Sequence, residues 1–134
     1  MSDAYLYLGL SGLLTVLLWV PYIAARALQW GIPTFLHNYP KGYPAVEPTP
    51  PLWAQRAKRA HLNMVETLPA FAVVLIAAIQ LGADAAFVGG AAQLFFFARI
   101  AHAVVYTLGV PALRTPTYLV SWGAILAIGA SLLG

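Results

Sequence analysis

The chain has 134 residues, of which 61% are apolar and 8% charged, with a formal net charge of +3. Soluble domains carry about 25% charged residues, so this composition excludes an ordinary water-soluble surface and points to an all-α, polytopic membrane protein of one domain, residues 1–134. The few, scattered positive charges leave no nucleic-acid footprint. The absence of cysteine excludes disulfides, thiolate metal sites and a cysteine nucleophile.

Met1-Ser2-Asp3 has no basic n-region, so the first apolar segment, residues 4–30, is expected to be a retained span and not a cleaved signal peptide. Residues 31–51 hold Pro33, Pro40, Pro44, Pro48, Pro50 and Pro51. Proline removes a donor and clashes with the preceding turn, which predicts an extended loop outside the hydrocarbon. The second span, 52–81, ends at a tight turn, Gly82-Ala83-Asp84, where Asp84 is placed to N-cap the third span, 85–108. A short turn from Gly109 to Pro116 leads to the fourth span, 117–133. That last run is the shortest, since a span needs roughly 20 residues and at least about 17. The runs are too long, and alternate too little, for β-barrel strands.

Lys41, Arg56, Lys58 and Arg59 flank the first loop and Arg114 lies in the last, whereas the middle turn and both termini lack Lys and Arg. The positive-inside rule then places the first and third loops in the cytoplasm and both termini in the periplasm or lumen. Gly123, Ala127 and Ser131 form one small-residue ladder, and Ala85 with Gly89 begins another, as close helix packing requires. Trp19, Trp30, Trp53, Tyr118 and Trp122 include candidates for interfacial anchors.

The second span opens on a polar stripe. At about 100° per residue, Arg56, Asn63 and Glu66 fall about +60°, +40° and −20° from Arg59, inside an arc of roughly 80°. His61 lies about 200° away and is read as a packing or interface group. Lys58 also points away and snorkels to the interface. The third span carries Arg99, His102 and Tyr106 within about 60° of each other. A tight turn makes the two spans antiparallel, so both stripes reach the same face, together with Arg114. One polar chamber is expected there.

Two readings of that chamber stand side by side. In the first, Glu66 neutralises Arg59 or Arg99 as an interhelical pair that holds register without chemistry. In the second, Arg56, Arg59, Arg99 and Arg114 exceed the nearby carboxylates, Glu66 and Glu47, and the excess takes an anionic ligand, either a lipid headgroup or a small carboxylate-bearing substrate. Arg26 reaches the headgroups or the chamber, His37 is read as solvated, and Gln93 as an interhelical hydrogen-bond partner. Three separated histidines give no metal-ligand spacing, and no serine or threonine has a base beside it.

Arg59-Ala60-His61-Leu62-Asn63, followed by Glu66 and Pro69, resembles the signature of the MAPEG family, membrane-associated proteins in eicosanoid and glutathione metabolism. The resemblance extends over nearly the whole chain, through the four spans, the proline-rich first loop, the short second turn, and Arg99 with Tyr106. It implies a four-helix bundle assembled as a homotrimer, with glutathione bound between neighbouring subunits near the cytoplasmic face. By the same resemblance, Arg59, Asn63 and Glu66 bind glutathione with Arg56 nearby, Arg99 and Tyr106 add contacts, and Arg114 matches the arginine near the thiol in some members. Two positions depart from the family's eicosanoid enzymes, where tyrosine is common: Thr67 after the glutamate, and His102 in the third span. They argue against a specific leukotriene or prostaglandin synthase. His102 either assists thiol ionisation as base or cation, or holds Glu66.

The resemblance therefore implies a membrane glutathione transferase or peroxidase. Arginines suit the two carboxylates of glutathione, Glu66 its ammonium, and a cation beside the sulfur raises the thiolate fraction. The partner substrate would be a hydrophobic, lipid-soluble electrophile or hydroperoxide entering from the membrane lipid. The rival is a non-catalytic membrane subunit with the same bundle, binding lipid or a partner protein. A solute carrier has little support, because no pair of broken helices is present.

Overall fold

The computed structural model describes residues 2–37 and 48–134, without the side chains of Ser2 and His37. All of its regular structure is helical: α1 (Ser2–Leu17), α2 (Val20–Trp30), α3 (Ile32–His37), α4 (Leu52–Gln80), α5 (Ala85–Leu108) and α6 (Arg114–Ala130). Four stretches are long and apolar enough to cross a membrane: Asp3–Trp30, Leu52–Gln80, Ala85–Leu108 and Arg114–Leu133.

The first stretch contains a break. Pro21 has no N–H to return to the Leu17 carbonyl, so the helix loosens into a turn at Leu18 and Trp19 before α2 resumes. Pro69 lies inside α4 without ending it. Two residues earlier, Thr67 Oγ1 donates to the Asn63 carbonyl at 2.6 Å, a bond that holds its side chain against its own helix.

The connection after α2 differs from the extended loop predicted from its prolines. Residues Ile32–His37 form a short helix, with Pro33 in the first turn, where a missing N–H costs nothing. Residues 48–51, with Pro48, Pro50 and Pro51, form no helix, in line with that expectation; its part over residues 38–47, with Lys41, Glu47, Pro40 and Pro44, lies outside the described residues, as does the His37 side chain. The fourth span, α6, begins earlier than expected, at Arg114, because Pro116 sits in its first turn and does not interrupt it.

Both tight turns close by helix-ending chemistry. Asp84 caps α5 as expected, its Oδ1 accepting from Phe87 N–H at 2.7 Å. Gly109 ends α5 in the left-handed region, and Val110 N–H returns to the Val105 carbonyl at 3.0 Å.

α5 is the central helix, packed against α1, α4 and α6. The core is built from Met64, Phe71 and Leu75 of α4, Val88 and Phe95 of α5, and Ile128 of α6, all fully buried. Phe71 and Phe95 stack with centroids 3.8 Å apart. Gly89 lies against α1, where an added Cβ would stand 3.3 Å from Asp3 Cβ. The outer faces are apolar as well, with Leu28, Val73 and Leu108 largely exposed, as lipid-facing positions require.

Candidate polar site at one end of the bundle

α2 and α5 end, and α4 and α6 begin, at one end of the bundle, and most of the charge gathers there. Contacts down the α4–α5 seam fix the antiparallel register. Arg56 Nε donates to the Thr107 carbonyl at 3.3 Å, Arg99 Nη2 donates to Asn63 Oδ1 at 2.5 Å, and the Phe71–Phe95 stack lies deeper. The α5–α6 seam is ordered in the same way. The Arg114 guanidinium lies 5.0 Å from the Tyr106 ring centre, the His102 and Tyr118 rings are 6.1 Å apart, and Arg99 Nη1 donates to Ser121 Oγ at 3.3 Å.

These contacts build an inner polar network. Arg99 and His102 are 1% and 2% exposed, the most deeply buried ionisable groups among the described residues. A guanidinium placed inside a span is costly and persists only with fixed partners. Asn63 supplies one from α4. Ser121 supplies the other from α6, its own hydroxyl donating to the Tyr118 carbonyl at 2.7 Å. The Tyr118 ring faces the same guanidinium at 5.8 Å. His102 meets the edge of Tyr106 at 5.5 Å. Arg99 Nε and His102 Nδ1 remain buried without a hydrogen-bond partner, at a cost of roughly 1–3 kcal/mol each.

An outer set surrounds this network. Arg56 and Arg114 line a cavity of 310 Å³ with Tyr106, Gly109 and Ala112. Arg56 lies against Gly109, where an added Cβ would stand 2.7 Å from the guanidinium carbon. Its bond to Thr107 satisfies one of the carbonyls left open at the end of α5, where a cation also complements the helix dipole. Arg59 faces the other way, lining a 490 Å³ cavity with Arg26 and Lys58. Glu66 and Arg59 are exposed on α4, and Asn63 is half-buried between them.

The expected single chamber is therefore divided. Asn63, Arg99, His102 and Tyr106 come together, with Arg56 and Arg114 at their mouth. Arg59 and Glu66 stand apart on the outer face of α4. Glu66 makes no ion pair with Arg59 or Arg99 among the described residues, and it does not hold His102. The expected interhelical neutralisation is replaced by Asn63 and Ser121, neutral acceptors that reach Arg99 inside the bundle. Lys58, expected to point away from Arg59, shares its cavity. His61 is a packing group as read, its Nδ1 lying 2.9 Å from Tyr22 Oη. Gln93 is exposed and makes no interhelical bond among the described residues.

The sequence assigns no role to Ser121 or Tyr22 and offers Tyr118 only as a candidate interfacial anchor, whereas its ring faces Arg99 and His102. Tyr118 and Ser121 carry a signal all the same. They lie three residues apart on one face of an apolar span, as partners of a buried polar group do.

No group of three His, Asp or Glu among the described residues is placed to hold a metal. No curated protein matches the chain at a significant level. A family model described as the MAPEG family matches residues 4–134, nearly the whole chain, and the protein is therefore an integral, multi-pass membrane protein of the MAPEG family.

Proposed function

We propose that the protein is a membrane glutathione transferase, binding glutathione between neighbouring copies of a homotrimer and directing its thiolate at lipid-soluble electrophiles or lipid hydroperoxides. Family membership supports a function of this general class. The observation that carries the finer reading is the exposure of Arg59 and Glu66 on the outer face of α4, inside a span. A carboxylate and a guanidinium left exposed within a span are costly. A neighbouring subunit and a zwitterionic peptide would cover both.

In this reading Glu66 accepts from the ammonium of glutathione and Arg59 pairs with a carboxylate. Asn63 joins them to the interior, since its Oδ1 already holds Arg99. Arg99 and His102 are buried in their own subunit, so they act as positioning residues: Arg99 orients Asn63, and His102 supports the Tyr106 ring. Arg114 and Arg56 form the cationic end of the site, and Arg114 beside Tyr106 is the group placed to favour the thiolate. The nucleophile is the sulfur of glutathione, which attacks the electrophilic atom while the leaving group departs. With a hydroperoxide the thiolate is oxidised and the peroxide reduced to the alcohol, a second glutathione completing the disulfide. The face occupied by the arginines is cytoplasmic, following the distribution of Lys and Arg.

The test is direct. The detergent-purified protein is titrated with glutathione while thiolate absorbance and conjugation of an aryl halide are followed. Binding in the millimolar range or tighter with a rise in thiolate supports the proposal; no binding at millimolar glutathione overturns it.

A further inference from the structure

Gln93 is exposed inside the α5 span, about 12 Å from its nearer end, and has no hydrogen-bond partner among the described residues. Hydrocarbon satisfies neither the donors nor the acceptor of its carboxamide. Trp122 is a second such group. It is 48% exposed, its indole N–H makes no bond among the described residues, and it too lies about 12 Å inside its span, too deep for an interfacial anchor. The register of α5 on α6 sets the two at one level. The groove between these antiparallel helices is lined by Leu94 and Ala86 from α5 and by Val120 and Ala127 from α6. In antiparallel order Leu94 pairs with Val120 and Ala86 with Ala127, which leaves Gln93 and Trp122 about 1.5 Å apart in depth. They do not meet within one chain. Gln93 follows Gly89 by four residues, on the flank of α5 where Gly89 approaches Asp3 of α1. Trp122 precedes Gly129 by seven, on the flank of α6 where Gly129 approaches Val74 of α4.

We propose that Gln93 and Trp122 pair between neighbouring copies of this chain, so that the α1/α5 side of each copy docks on the α4/α6 side of the next. The indole N–H of one copy donates to the carboxamide oxygen of the other, and both groups are satisfied at once. Because the two surfaces differ, the contact is heterologous, and a heterologous contact closes into a ring when its rotation allows. Gly90, three residues from Gln93, leaves room for a close approach, since an added Cβ there would meet nothing within 4 Å. On the other side, Glu66, Ala70 and Val74 follow one another at four-residue spacing along α4. The Trp122 side thus adjoins the exposed Glu66, which the transferase reading already gives to a neighbouring subunit. The inference rests on the self-association in that reading and not on glutathione.

The chain has no cysteine, so introduced thiols report cleanly. Gln93→Cys and Trp122→Cys are expressed singly and together in membranes, treated with a short bifunctional thiol crosslinker, and read on a denaturing gel. Covalent dimers are expected when the two single variants share one membrane, and neither single variant is expected to link to itself. A second readout uses Gln93→Leu and Trp122→Phe in the full-length protein, with assembly followed by native mass spectrometry across a detergent dilution. Each change is expected to weaken assembly by roughly three- to tenfold, and the double variant by no more than either alone, because both remove one bond. Glutathione binding is titrated in parallel.

Self-linking of Gln93→Cys to the same extent as the mixed pair overturns the proposal, as does an assembled protein in which the mixed pair does not link. Additive losses in Gln93→Leu and Trp122→Phe overturn the hydrogen bond between them. A wild-type chain that is monomeric in membranes overturns the contact and the self-association of the transferase reading together. Linked copies that bind no glutathione leave this contact standing and remove only the transferase reading.

Discussion

Arg99 of α5 is anchored to Asn63 of α4 by a 2.5 Å bond inside the bundle, so the helix that bears the signature motif carries the acceptor for a buried cation. Asn63→Leu removes that acceptor and leaves Ser121 Oγ, at 3.3 Å, as the remaining one. A hydrogen bond to a charged group contributes roughly 1.5–3 kcal/mol, and Asn63→Leu is expected to destabilise by that amount. Thermal unfolding in detergent, followed by near-ultraviolet circular dichroism, measures it. Adding Arg99→Met should recover most of the loss, because the stranded charge is then gone. A double variant no more stable than Asn63→Leu alone would show that Arg99 does something other than balance Asn63.

That contact also marks how far the sequence was legible. The helical period placed Asn63 and Arg99 on facing stripes at matching depth, and the antiparallel order of the spans followed from the Gly82-Ala83-Asp84 turn. What the period could not give was the choice made by groups near the edge of the stripe. Arg56 and Arg59 differ by about 60° around the axis, and that small angle sends one to the open carbonyls of α5 and the other to α2. Neighbouring helices decide such a choice, and no single-helix projection contains them. Proline counting misread residues 32–37 for a local reason: Pro33 falls in a first helical turn, where the residue is tolerated. Ser121 escaped notice because a lone hydroxyl in a span is common, and only the burial of Arg99 gives it a task.

Arg59 and Glu66 test the binding reading with little effect on the fold. Both are exposed, so Arg59→Ala and Glu66→Ala should leave the unfolding midpoint almost unchanged while each weakens glutathione binding by roughly 10- to 100-fold, the value of one charge-assisted hydrogen bond. Glu66→Gln keeps the shape and loses the charge, and should approach Glu66→Ala if an ammonium is what it meets. Isothermal titration reads the affinity, and the unfolding scan excludes a trivial cause. Wild-type affinity in both alanine variants would remove the outer face of α4 from the site.

Gly109→Ala is expected to be harmful twice over. The backbone there has φ +72°, and the new Cβ would stand 2.7 Å from the Arg56 guanidinium. The left-handed conformation alone costs about 1–2 kcal/mol for a residue with a Cβ, and Arg56 must also leave the Thr107 carbonyl. A lower unfolding midpoint is the expected outcome. Combining it with Arg56→Ala should return only the steric part, so the two changes will not add.

Ala112, three residues further on, has the opposite expectation. It is the one non-glycine residue with positive φ among the described residues, at +68°, and it lines the cavity shared by Arg56, Tyr106 and Arg114. A held backbone of this kind costs about 1–3 kcal/mol and persists where the surroundings over-determine it. Ala112→Gly removes the Cβ that makes the conformation costly, but it also loosens the unfolded chain and the loop itself. The net effect on the unfolding midpoint is therefore a rise, smaller than the strain released. If the strain serves to fix Arg114 over Tyr106, the same variant should lose turnover while glutathione affinity, which the proposal assigns to Arg59 and Glu66, stays constant. Steady-state conjugation kinetics beside a binding titration separate the two. A gain in stability with unchanged turnover would make the strain an incidental cost of the short α5–α6 connection.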